Sequence, residues 1–530
     1  MNRTSLLTTL VLPVLAGLIL AGALFATDVQ AAPDATLTVD TLSDGVGTCG
    51  TAGDCTLRAA IAAAAPGDTI VFAPSLAGGT IVLASKGLTI SQNLVISSNV
   101  PITISGNNAV RVFHVTAGEV TFDGLTIING KPVFDGLADG AGIRVASGAT
   151  AIVMNSILAN NFAGNGGGAI YNGGTLRVID TTLSGNHADG PGGAIYSTGI
   201  AMVSGSTLFS NASASLGGGV SNYAGQLTMV NSTVAGNSAT AYGGGLFSLG
   251  SITLTSSTLT GNASPEGGGM YVHTDATMVN TVVAGSTSGG DCRLGFEVVA
   301  LNRVVNTLIE DSGTDACNLS SGTDSNIIGS SPLLGALADN GGATMTQLPQ
   351  TGSPTIDAGD CTSGPATDQR GVVRPQDTTC DIGAVEVARP MLTVTLAGSG
   401  SGSASSSPAG IDCGATCTAG FSTGTTIMLT AAPDSGSTFA GWSGACRGTG
   451  SCSLTLSADQ VVTATFTLIP PMQPAQAQTM CYGANIGLTI EMNPAVAAAA
   501  QQFDLVVISG PAPTNLFLEG AEKCVPYTGF

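Results

Sequence analysis

Acidic and basic side chains that could perform catalysis are few in the middle of this sequence. Between residues 140 and 290 the acids are Asp180, Asp189, Glu266 and Asp275, and the bases are Arg144, Arg177, His187 and His273. A glycosidase needs two carboxyl groups about 5–9.5 Å apart, and a polysaccharide lyase needs calcium-binding acids beside a base. No acid has an acidic neighbour at the same position of an adjoining repeat, so the sequence favours a non-catalytic protein and leaves enzymatic activity open.

One histidine stands close to an acid in a predicted strand. His273 and Asp275 are two residues apart and therefore face the same side of that strand. They could act as a base and the acid that orients it, but a solvated polar pair is the favoured interpretation. Between residues 140 and 290 the sequence contains no GxSxG nucleophile turn and no HExxH zinc helix.

The densest acidic group lies further along the chain and could bind Ca²⁺ through oxygen ligands. Its members are Asp357, Asp360, Asp368 and Asp381. These residues stand in the turn-like contexts DAGD and CDIG, in which aspartate commonly bonds to its own backbone. We favour the turn interpretation, so no cofactor is predicted and Ca²⁺ is the alternative.

Twelve cysteines could form six disulfides. An even number in a chain with an export signal favours disulfides, because the paired Cys-x2-Cys knuckles of zinc sites are absent. The predicted pairs are Cys49/Cys55, Cys292/Cys317, Cys361/Cys380, Cys413/Cys417, Cys446/Cys452 and Cys481/Cys524.

The first residues predict a signal peptide over residues 1–31. Arg3 is followed by an apolar stretch and by Val29-Gln30-Ala31, which resembles a cleavage site; a membrane anchor is the alternative. The net charge of −20 argues against nucleic acid and anionic lipid as partners. No later stretch reaches the ~18 apolar residues of a membrane helix, so no span is predicted in the mature chain. We expect an extracellular or cell-surface location, with an extracellular polysaccharide or a surface protein as partner.

A unit of about 25 residues recurs between residues 140 and 290. Two glycines, or a variant of them, and a small residue precede each member of one apolar column: Ile143, Ile170, Ile195, Val220, Leu246 and Met270. An asparagine follows another apolar residue by three positions, at Asn161, Asn186, Asn211, Asn237 and Asn262. Between these landmarks runs a further apolar column: Val153, Val178, Val203, Met229, Leu254 and Met278.

Short runs such as Leu176-Arg177-Val178 alternate apolar and polar residues with the period of a β-strand. Three strands in each unit of ~25 residues predict one turn of a three-sided parallel β-helix, in which equivalent residues stack. The asparagines then form a ladder of corner residues near left-handed geometry, each amide bonding to the next copy; a ligand-binding stripe is the alternative. We predict an all-β protein with the β-helix over residues 101–330, capped by residues 32–100, which include a short helix at 57–65.

Several segments resemble known families of exported bacterial proteins. Cys55-Thr56-Leu57-Arg58-Ala59-Ala60-Ile61, with Thr38-Val39-Asp40-Thr41 before it, resembles the CSLREA domain, although Thr56 and Ala59 replace its Ser and Glu. The glycine and asparagine landmarks are similar to those of polymorphic-outer-membrane-protein-type repeats, which implies a right-handed β-helix. Residues 331–388 resemble the choice-of-anchor Q domain through Ile356-Asp357-Ala358-Gly359-Asp360 and Asp368-Gln369-Arg370-Gly371.

The C-terminal part of the chain resembles a bacterial surface repeat. Residues 391–468 are similar to the divergent internalin-B-repeat module through Cys413-Gly414-Ala415-Thr416-Cys417 and Phe439-Ala440-Gly441-Trp442. We expect Trp442 to lie in a core rather than to form a sugar platform. Residues 469–478 are a predicted linker, and residues 479–530 form a β-rich segment of unknown type.

These features predict a secreted or surface-associated, non-catalytic β-helix that acts in adhesion or in contact with extracellular glycan or matrix. The long flank rich in Ser, Thr and Asn is the predicted contact face. A polysaccharide lyase or glycoside hydrolase is the first alternative, and a structural surface stalk is the second.

Overall fold

The computed structural model describes residues 35–132, 138–274, 276–296, 301–376, 379–414, 416–470, 479–481 and 524–526. The chain divides into two compact units, Met1–Pro390 and Met391–Phe530. The predicted signal peptide, residues 471–478 of the predicted linker and most of the last 50 residues lie outside the described residues.

The first unit is a parallel β-solenoid, as predicted. Its turns carry three main strands, which we call faces 1, 2 and 3, and a short corner ribbon. Face 1 contains Thr36–Val39, Thr69–Phe72, Leu94–Ser105, Glu119–Ile128, Thr150–Met154, Thr175–Ile179, Ile200–Ser204, Gln226–Val230, Ser251–Thr255, Ala276–Val279 and Arg303–Val305.

The long strands Leu94–Ser105 and Glu119–Ile128 continue into face 2. The other strands of face 2 are Thr80–Val82, Ile157–Ala159, Thr182–Ser184, Thr207–Phe209, Thr233–Ala235, Thr258–Thr260, Val282–Ala284, Leu308–Ile309 and Ile327–Ile328.

Face 3 consists of Leu88–Ile90, Phe113–Val115, Ile143–Val145, Ile170–Asn172, Ile195–Ser197, Val220–Asn222, Leu246–Ser248, Met270–Val272 and Cys292–Leu294. The corner ribbon, between faces 2 and 3, consists of Phe162–Ala163, His187–Ala188, Ala212–Ser213 and Ser238–Ala239. Three short 3₁₀ helices complete the unit at Pro74–Leu76, Gly313–Asp315 and Thr323–Ser325.

The register places each apolar column in the interior. Val178 pairs with Val153 on one side and with Val203 on the other, and all three side chains are fully buried. Each such residue contributes roughly 1.5–3 kcal/mol of burial free energy. A column repeated on every turn therefore stabilises the stack along its whole length.

The predicted asparagines lie in a buried hydrogen-bonded ladder. The Nδ2 of Asn211 donates to the Leu183 carbonyl at 3.0 Å and to the Oδ1 of Asn237 at 2.9 Å. Its own Oδ1 accepts the backbone N–H of Asn186 at 3.0 Å. The residue with left-handed backbone geometry is the one before the asparagine, for example Gly236 with φ +62°. The prediction from the sequence, which puts this geometry on the asparagine itself, is therefore wrong by one position.

A second polar ladder, which the sequence did not reveal, follows the corner between faces 1 and 2. Its side chains are buried, and the hydroxyl oxygens from Ser156 to Ser257 accept backbone N–H groups from the preceding turn; the N–H of Thr181, for example, donates to the Oγ of Ser206 at 3.1 Å. The hydroxyls of Thr281 and Thr307 continue the column and donate to the carbonyls of Val279 and Val305. The column contains Ser156, Thr181, Ser206, Ser232, Ser257, Thr281 and Thr307. Both ladders satisfy backbone groups that the sharp corners would otherwise leave unpaired.

A short helix, Leu57–Ala63, forms where one was predicted. The Thr56 side chain caps it by accepting the N–H of Ala59 at 3.0 Å, and Leu57 and Ala60 are buried in the solenoid core. Arg58 binds both carboxylate oxygens of Asp44, at 2.8 and 3.0 Å. Threonine is a good N-cap residue, so Thr56 suits the position at which this helix begins.

The other end of the solenoid carries carboxylates where the asparagine ladder stops. Glu310 accepts the N–H of Gly285 at 2.8 Å, and Asp291 accepts the N–H of Ser286 at 3.0 Å. Asp291 and Asp311 also exchange hydrogen bonds, each side chain accepting the other's N–H at 2.9 Å. Acidic side chains thus take the place of the carbonyl and amide acceptors that a further turn would supply.

Five of the six predicted disulfides are confirmed: Cys49–Cys55, Cys292–Cys317, Cys361–Cys380, Cys413–Cys417 and Cys446–Cys452. For the sixth pair, the strands Thr479–Cys481 and Cys524–Pro526 are antiparallel and place the backbones of Cys481 and Cys524 opposite each other.

The second unit contains two four-stranded sheets. One consists of Met391–Gly398, Thr418–Gly420, Ser437–Gly444 and Gln460–Leu468, and the other of Gly402–Ser407, Asp412–Cys413, Thr426–Pro433 and Cys452–Thr455. Trp442 is buried between neighbours such as Phe439, and its indole N–H donates to the Gly450 carbonyl at 2.8 Å. Its place in a core matches the expectation from the sequence.

Candidate functional site

On face 2 the chain itself covers the predicted contact flank from about Thr207 onward. We call residues 331–388 the cover segment. The outward hydroxyls of Thr207 and Thr233 donate to Met345 O and Gln369 Oε1 at 2.6 and 2.7 Å, and both threonines are fully buried. The covered turns of face 2 are therefore not available as the predicted contact face.

Gln369 is the most heavily bonded residue of the cover segment. Its Oε1 accepts the Thr233 hydroxyl, and its Nε2 donates to the hydroxyls of Thr207 and Thr344, both at 2.9 Å. Two turns further on, Asn280 and Asp360 exchange hydrogen bonds at 2.7 Å. Hydrogen bonds between polar side chains thus fix the cover segment to several turns of the solenoid.

The four calcium candidates lie in this cover segment and are occupied by protein partners. Asp368 is paired with Arg370 at 2.8 Å and accepts the N–H groups of Val372 and Glu386. Asp357 forms an ion pair with Arg389. No group of three or more acidic, histidine or cysteine side chains suited to a metal occurs among the described residues.

The other two candidates have opposite electrostatic surroundings. The Thr362 side chain, as a hydrogen-bond donor, lowers the pKa of Asp360 below its usual value. Burial raises the pKa of Asp381 to about 6, although its oxygens accept the N–H groups of Asp357 and Val387 at 2.7 and 2.6 Å. These contacts favour a backbone-organising role for both residues, as in the turn interpretation.

The solenoid acids do not form a catalytic pair in the described part of the chain. Asp189 contacts His187 at 3.3 Å on the exposed corner ribbon. Burial raises the pKa of Asp180, which stands in the left-handed corner column between Asn155 and Gly205. Asp275 lies outside the described residues, so its proposed pairing with His273 stays a prediction.

One close carboxylate pair was missed by the sequence, namely Asp291 and Asp311 at the end of the ladder. Burial is the main cause of the raised pKa of Asp291, and hydrogen bonds from Ser286 oppose it. Because Asp291 is only 1% exposed, a polymeric substrate cannot reach its carboxylate. The pair acts as a structural cap.

The outer side of face 3 carries two neighbouring groups of contacting aromatic rings, which we together call the aromatic strip. It contains Tyr171, Tyr196, Tyr223, Tyr242, Phe247 and Tyr271. Five of the seven tyrosines of the chain belong to it, although aromatic residues make up only 4% of the sequence. Such a concentration on one outward surface sets this face apart from the other two.

Within each of the two groups, rings of adjoining turns contact each other along the solenoid axis. Tyr171 and Tyr196 meet edge to face with centroids 5.6 Å apart, and Tyr196 and Tyr223 are 6.2 Å apart. Tyr242 lies 4.7 Å from Tyr271. The guanidinium group of Arg144 lies 5.0 Å from the centroid of Tyr171, so a cation–π contact ends the strip on that side.

The strip has an accessible part and a buried part. Tyr223 is 47% exposed and Tyr171, Tyr196 and Tyr242 are half-buried, whereas Phe247 and Tyr271 are only 4% and 2% exposed. Burial raises the pKa of Tyr196, assisted by Tyr171, Tyr223 and Asp139. Four consecutive turns therefore each present one solvent-accessible tyrosine on a rigid strand or its adjoining loop.

The sequence contained a signal for most of this strip. The outward residue of face 3 directly follows the apolar landmark of each repeat, and this position is Arg144, Tyr171, Tyr196, Ser221, Phe247, Tyr271 or Arg293. Tyr223 and Tyr242 lie in the loops beside this column, where the repeat register alone did not place them.

A groove of about 420 Å³ lies between the solenoid and the start of the cover segment. Its floor is formed by corner residues such as Ser210, Gly236 and Gly261, and its opposite wall includes Pro332 and Leu334. Glu310, the one charged residue of its lining, is engaged with the Gly285 N–H. The groove is therefore a poorer candidate site than the aromatic strip.

Comparison with known proteins gives a domain match in the second unit and a solved structure that resembles the first. Residues 392–470 match the divergent InlB B-repeat domain, which confirms the predicted C-terminal module. The crystal structure of pectate lyase Pel9A is similar with a TM-score of 0.42 and 15% sequence identity, over 67% of this chain and 97% of that chain. Among curated proteins, none matches the sequence.

The described residues also indicate the cellular environment in which the protein folds. Their five disulfides indicate folding in an oxidising, non-cytoplasmic environment. None of their helices is both long and apolar enough to cross a membrane.

Proposed function

We propose that this protein is a secreted or cell-surface, non-catalytic β-solenoid that binds extracellular polysaccharide through the aromatic strip. The observation that carries the proposal is the row of four accessible tyrosines on consecutive turns, Tyr171, Tyr196, Tyr223 and Tyr242. An aromatic ring packs well on the C–H face of a sugar, while the tyrosine hydroxyl bonds to sugar hydroxyls. A row of such rings suits a linear polymer.

Three further features support this proposal. No two exposed acids of the described solenoid face each other as a catalytic pair, since Asp189 contacts His187 and Asp291 is buried against Asp311, and this disfavours the lyase and hydrolase alternatives. The resemblance of residues 32–100 and 331–388 to families of exported proteins, together with the disulfides, favours the cell exterior. The divergent InlB B-repeat domain at 392–470 adds a second folded module, which fits a surface protein with several functional parts.

Retention of the protein on insoluble polysaccharides tests this function. The mature chain, residues 32–530 with disulfides intact, is mixed with a panel of neutral and acidic polymers, with and without Ca²⁺, and bound protein and soluble products are both measured. We expect retention without product release, and we expect the Tyr196→Ala/Tyr223→Ala double variant to lose most of it.

A matched control comes from another exposed apolar side chain. Met202 lies on the outer side of face 1 and is 37% exposed, so Met202→Ala should leave retention unchanged. New reducing ends or unsaturated products would contradict the non-catalytic assignment. Equal retention of the wild type and the double tyrosine variant would show that binding lies elsewhere.

A further inference from the structure

The charge distribution around the aromatic strip restricts its ligand. Residues 190–265 contain no Asp, Glu, Lys, Arg or His, and this stretch supplies Tyr196, Tyr223, Tyr242 and Phe247. The charged residues near the strip lie outside this stretch of the sequence. Arg144 stacks on Tyr171 and Asp139 lies near Tyr196, while Glu266 and Arg293 lie near Tyr271. About three full turns of the binding surface therefore carry no charged side chain of their own.

Resting on the proposed function, we propose that the strip selects uncharged polysaccharides and binds them parallel to the solenoid axis. An acidic polymer would bring a carboxylate to every second sugar or more, and the central turns offer no cation to pair with it. Such a charge would be partly desolvated against tyrosine rings without compensation, which is unfavourable. The net charge of −20 adds repulsion at long range.

The ends of the strip reinforce this preference. Arg144 lies over the Tyr171 ring and bonds to the His114 ring nitrogen at 3.0 Å. Arg293 is paired with Asp315 at 3.1 Å. Near Tyr196 the charged neighbour is an acid, Asp139, whose Oδ1 accepts the Asn165 amide and the Gly166 N–H. The nearby cations Arg144 and Arg293 already have partners, and a carboxylate such as Asp139 is a hydrogen-bond acceptor, which suits sugar hydroxyls and repels acidic groups.

The length of the accessible row sets the length of the ligand. The turns that carry Tyr171, Tyr196, Tyr223 and Tyr242 span three intervals of about 4.8 Å, or roughly 14 Å in all. With one sugar ring on each tyrosine, the row holds about four rings. Affinity should therefore rise with oligosaccharide length up to about four units and then level off.

The test compares polymers of similar solubility but different charge. We would measure retention of the full mature chain on cellulose, chitin and starch as neutral polymers, and on polygalacturonate and alginate as acidic polymers, at 50 and 500 mM NaCl (about a threefold change in screening length). We expect retention on at least one neutral polymer, with little dependence on salt, and none on the acidic polymers. Titration with oligosaccharides of the retained polymer then gives the length dependence.

Charge insertion beside the strip provides the matched variants. Ala224 is exposed and follows Tyr223. Ala224→Lys should create salt-sensitive retention on polygalacturonate, whereas Ala224→Glu should leave retention on the neutral polymer within about twofold. Tyr223→Ala should weaken binding of the neutral tetrasaccharide by about tenfold, as the loss of one stacked ring predicts.

The outcomes separate this inference from the proposed function. Retention on no polymer of either class would overturn the proposed function itself. Retention on acidic polymers only, lost in Tyr196→Ala/Tyr223→Ala, would keep the strip as a polysaccharide site but overturn its selectivity for uncharged chains. Affinity that is independent of length beyond a disaccharide would overturn the axial binding mode.

Discussion

Replacing Asn211 with alanine tests whether the asparagine ladder stabilises the solenoid. The side chain is buried and exchanges hydrogen bonds with the turns on both sides. Alanine leaves the N–H of Asn186 without an acceptor and removes a donor from both Leu183 O and Asn237 Oδ1. An unpaired buried donor costs about 1–3 kcal/mol and each lost hydrogen bond about 1 kcal/mol, so we expect a loss of roughly 4 kcal/mol.

The two units provide a built-in control for this measurement. Trp442, the one tryptophan of the chain, lies in the second unit, so tryptophan fluorescence reports unfolding of that unit alone. Far-ultraviolet circular dichroism in urea follows the solenoid, which contains most of the described strands. Asn211→Ala should lower the urea midpoint seen by dichroism and leave the fluorescence transition unchanged.

Two companion variants make the result specific. Asn211→Asp keeps acceptors for Asn186 but cannot donate to Leu183 O or Asn237 Oδ1. At pH 7 it would also bury a carboxylate against these two oxygens, so it should be at least as destabilising as alanine. Gln226 is exposed on face 1, and Gln226→Ala should change the free energy of unfolding by less than about 0.5 kcal/mol. A loss below 1 kcal/mol in Asn211→Ala, with the dichroism spectrum intact, would refute the stabilising role of the ladder.

Three further predictions concern the cover segment and the N-cap of the helix Leu57–Ala63. Gln369→Ala removes the hydrogen bonds to Thr207, Thr233 and Thr344 and should cost roughly 2–4 kcal/mol, seen as faster hydrogen exchange in residues 331–388; an unchanged exchange rate would contradict it. Asp381 has a folded-state pKa of about 6 against an ordinary value of 3.8, so the folded state binds more protons than the unfolded state between these pH values. The free energy of unfolding should therefore fall by about 3 kcal/mol as the pH rises from about 4 to 6 or above. Urea midpoints at pH 4 and 7 check this, and Asp381→Asn should reduce the dependence of stability on pH. Thr56→Ala removes the helix cap and should cost about 1 kcal/mol in thermal unfolding, whereas Thr56→Ser should be nearly neutral.

The repeat made the solenoid predictable from the sequence. A fixed spacing of about 25 residues carries both the strand pattern and the register, because a shift of one residue would turn Val178 and its counterparts away from the core. The cysteine pairs were predictable for a related reason, since most of them are close in sequence. The left-handed residue before each asparagine was misplaced by one position, because spacing alone does not show which residue of a corner turns the chain.

The contacts of the cover segment were beyond sequence reasoning. Gln369 reaches Thr207 across 162 residues, and the segment that carries it has no repeat from which to derive a register. Its hydrogen bonds depend on three-dimensional matching to the corners of face 2. The serine and threonine residues there resembled a solvent-facing surface, because a buried hydroxyl with a partner and an exposed one look the same in sequence.

The aromatic strip was only partly predictable from the sequence. The outward position on face 3 was implied by the register, so Tyr171, Tyr196 and Tyr271 could have been aligned in one column. Tyr223 and Tyr242 could not be aligned in this way, since they lie in loops at different positions of their repeats. Only the structure shows that Tyr223 and Tyr242 complete the accessible row.

Glu310 and Asp291 close the asparagine ladder at its last turn. Additional turns could therefore be inserted in the middle of the solenoid. Glu310 and Asp291 terminate the hydrogen-bond columns, and the cover segment engages the turns from Gly205 onward. A tandem duplication of residues 161–185 would thus add one complete turn upstream of both features without disturbing either. The longer protein would carry one additional tyrosine in register with Tyr171, so its reach along a polymer would grow in steps of one sugar.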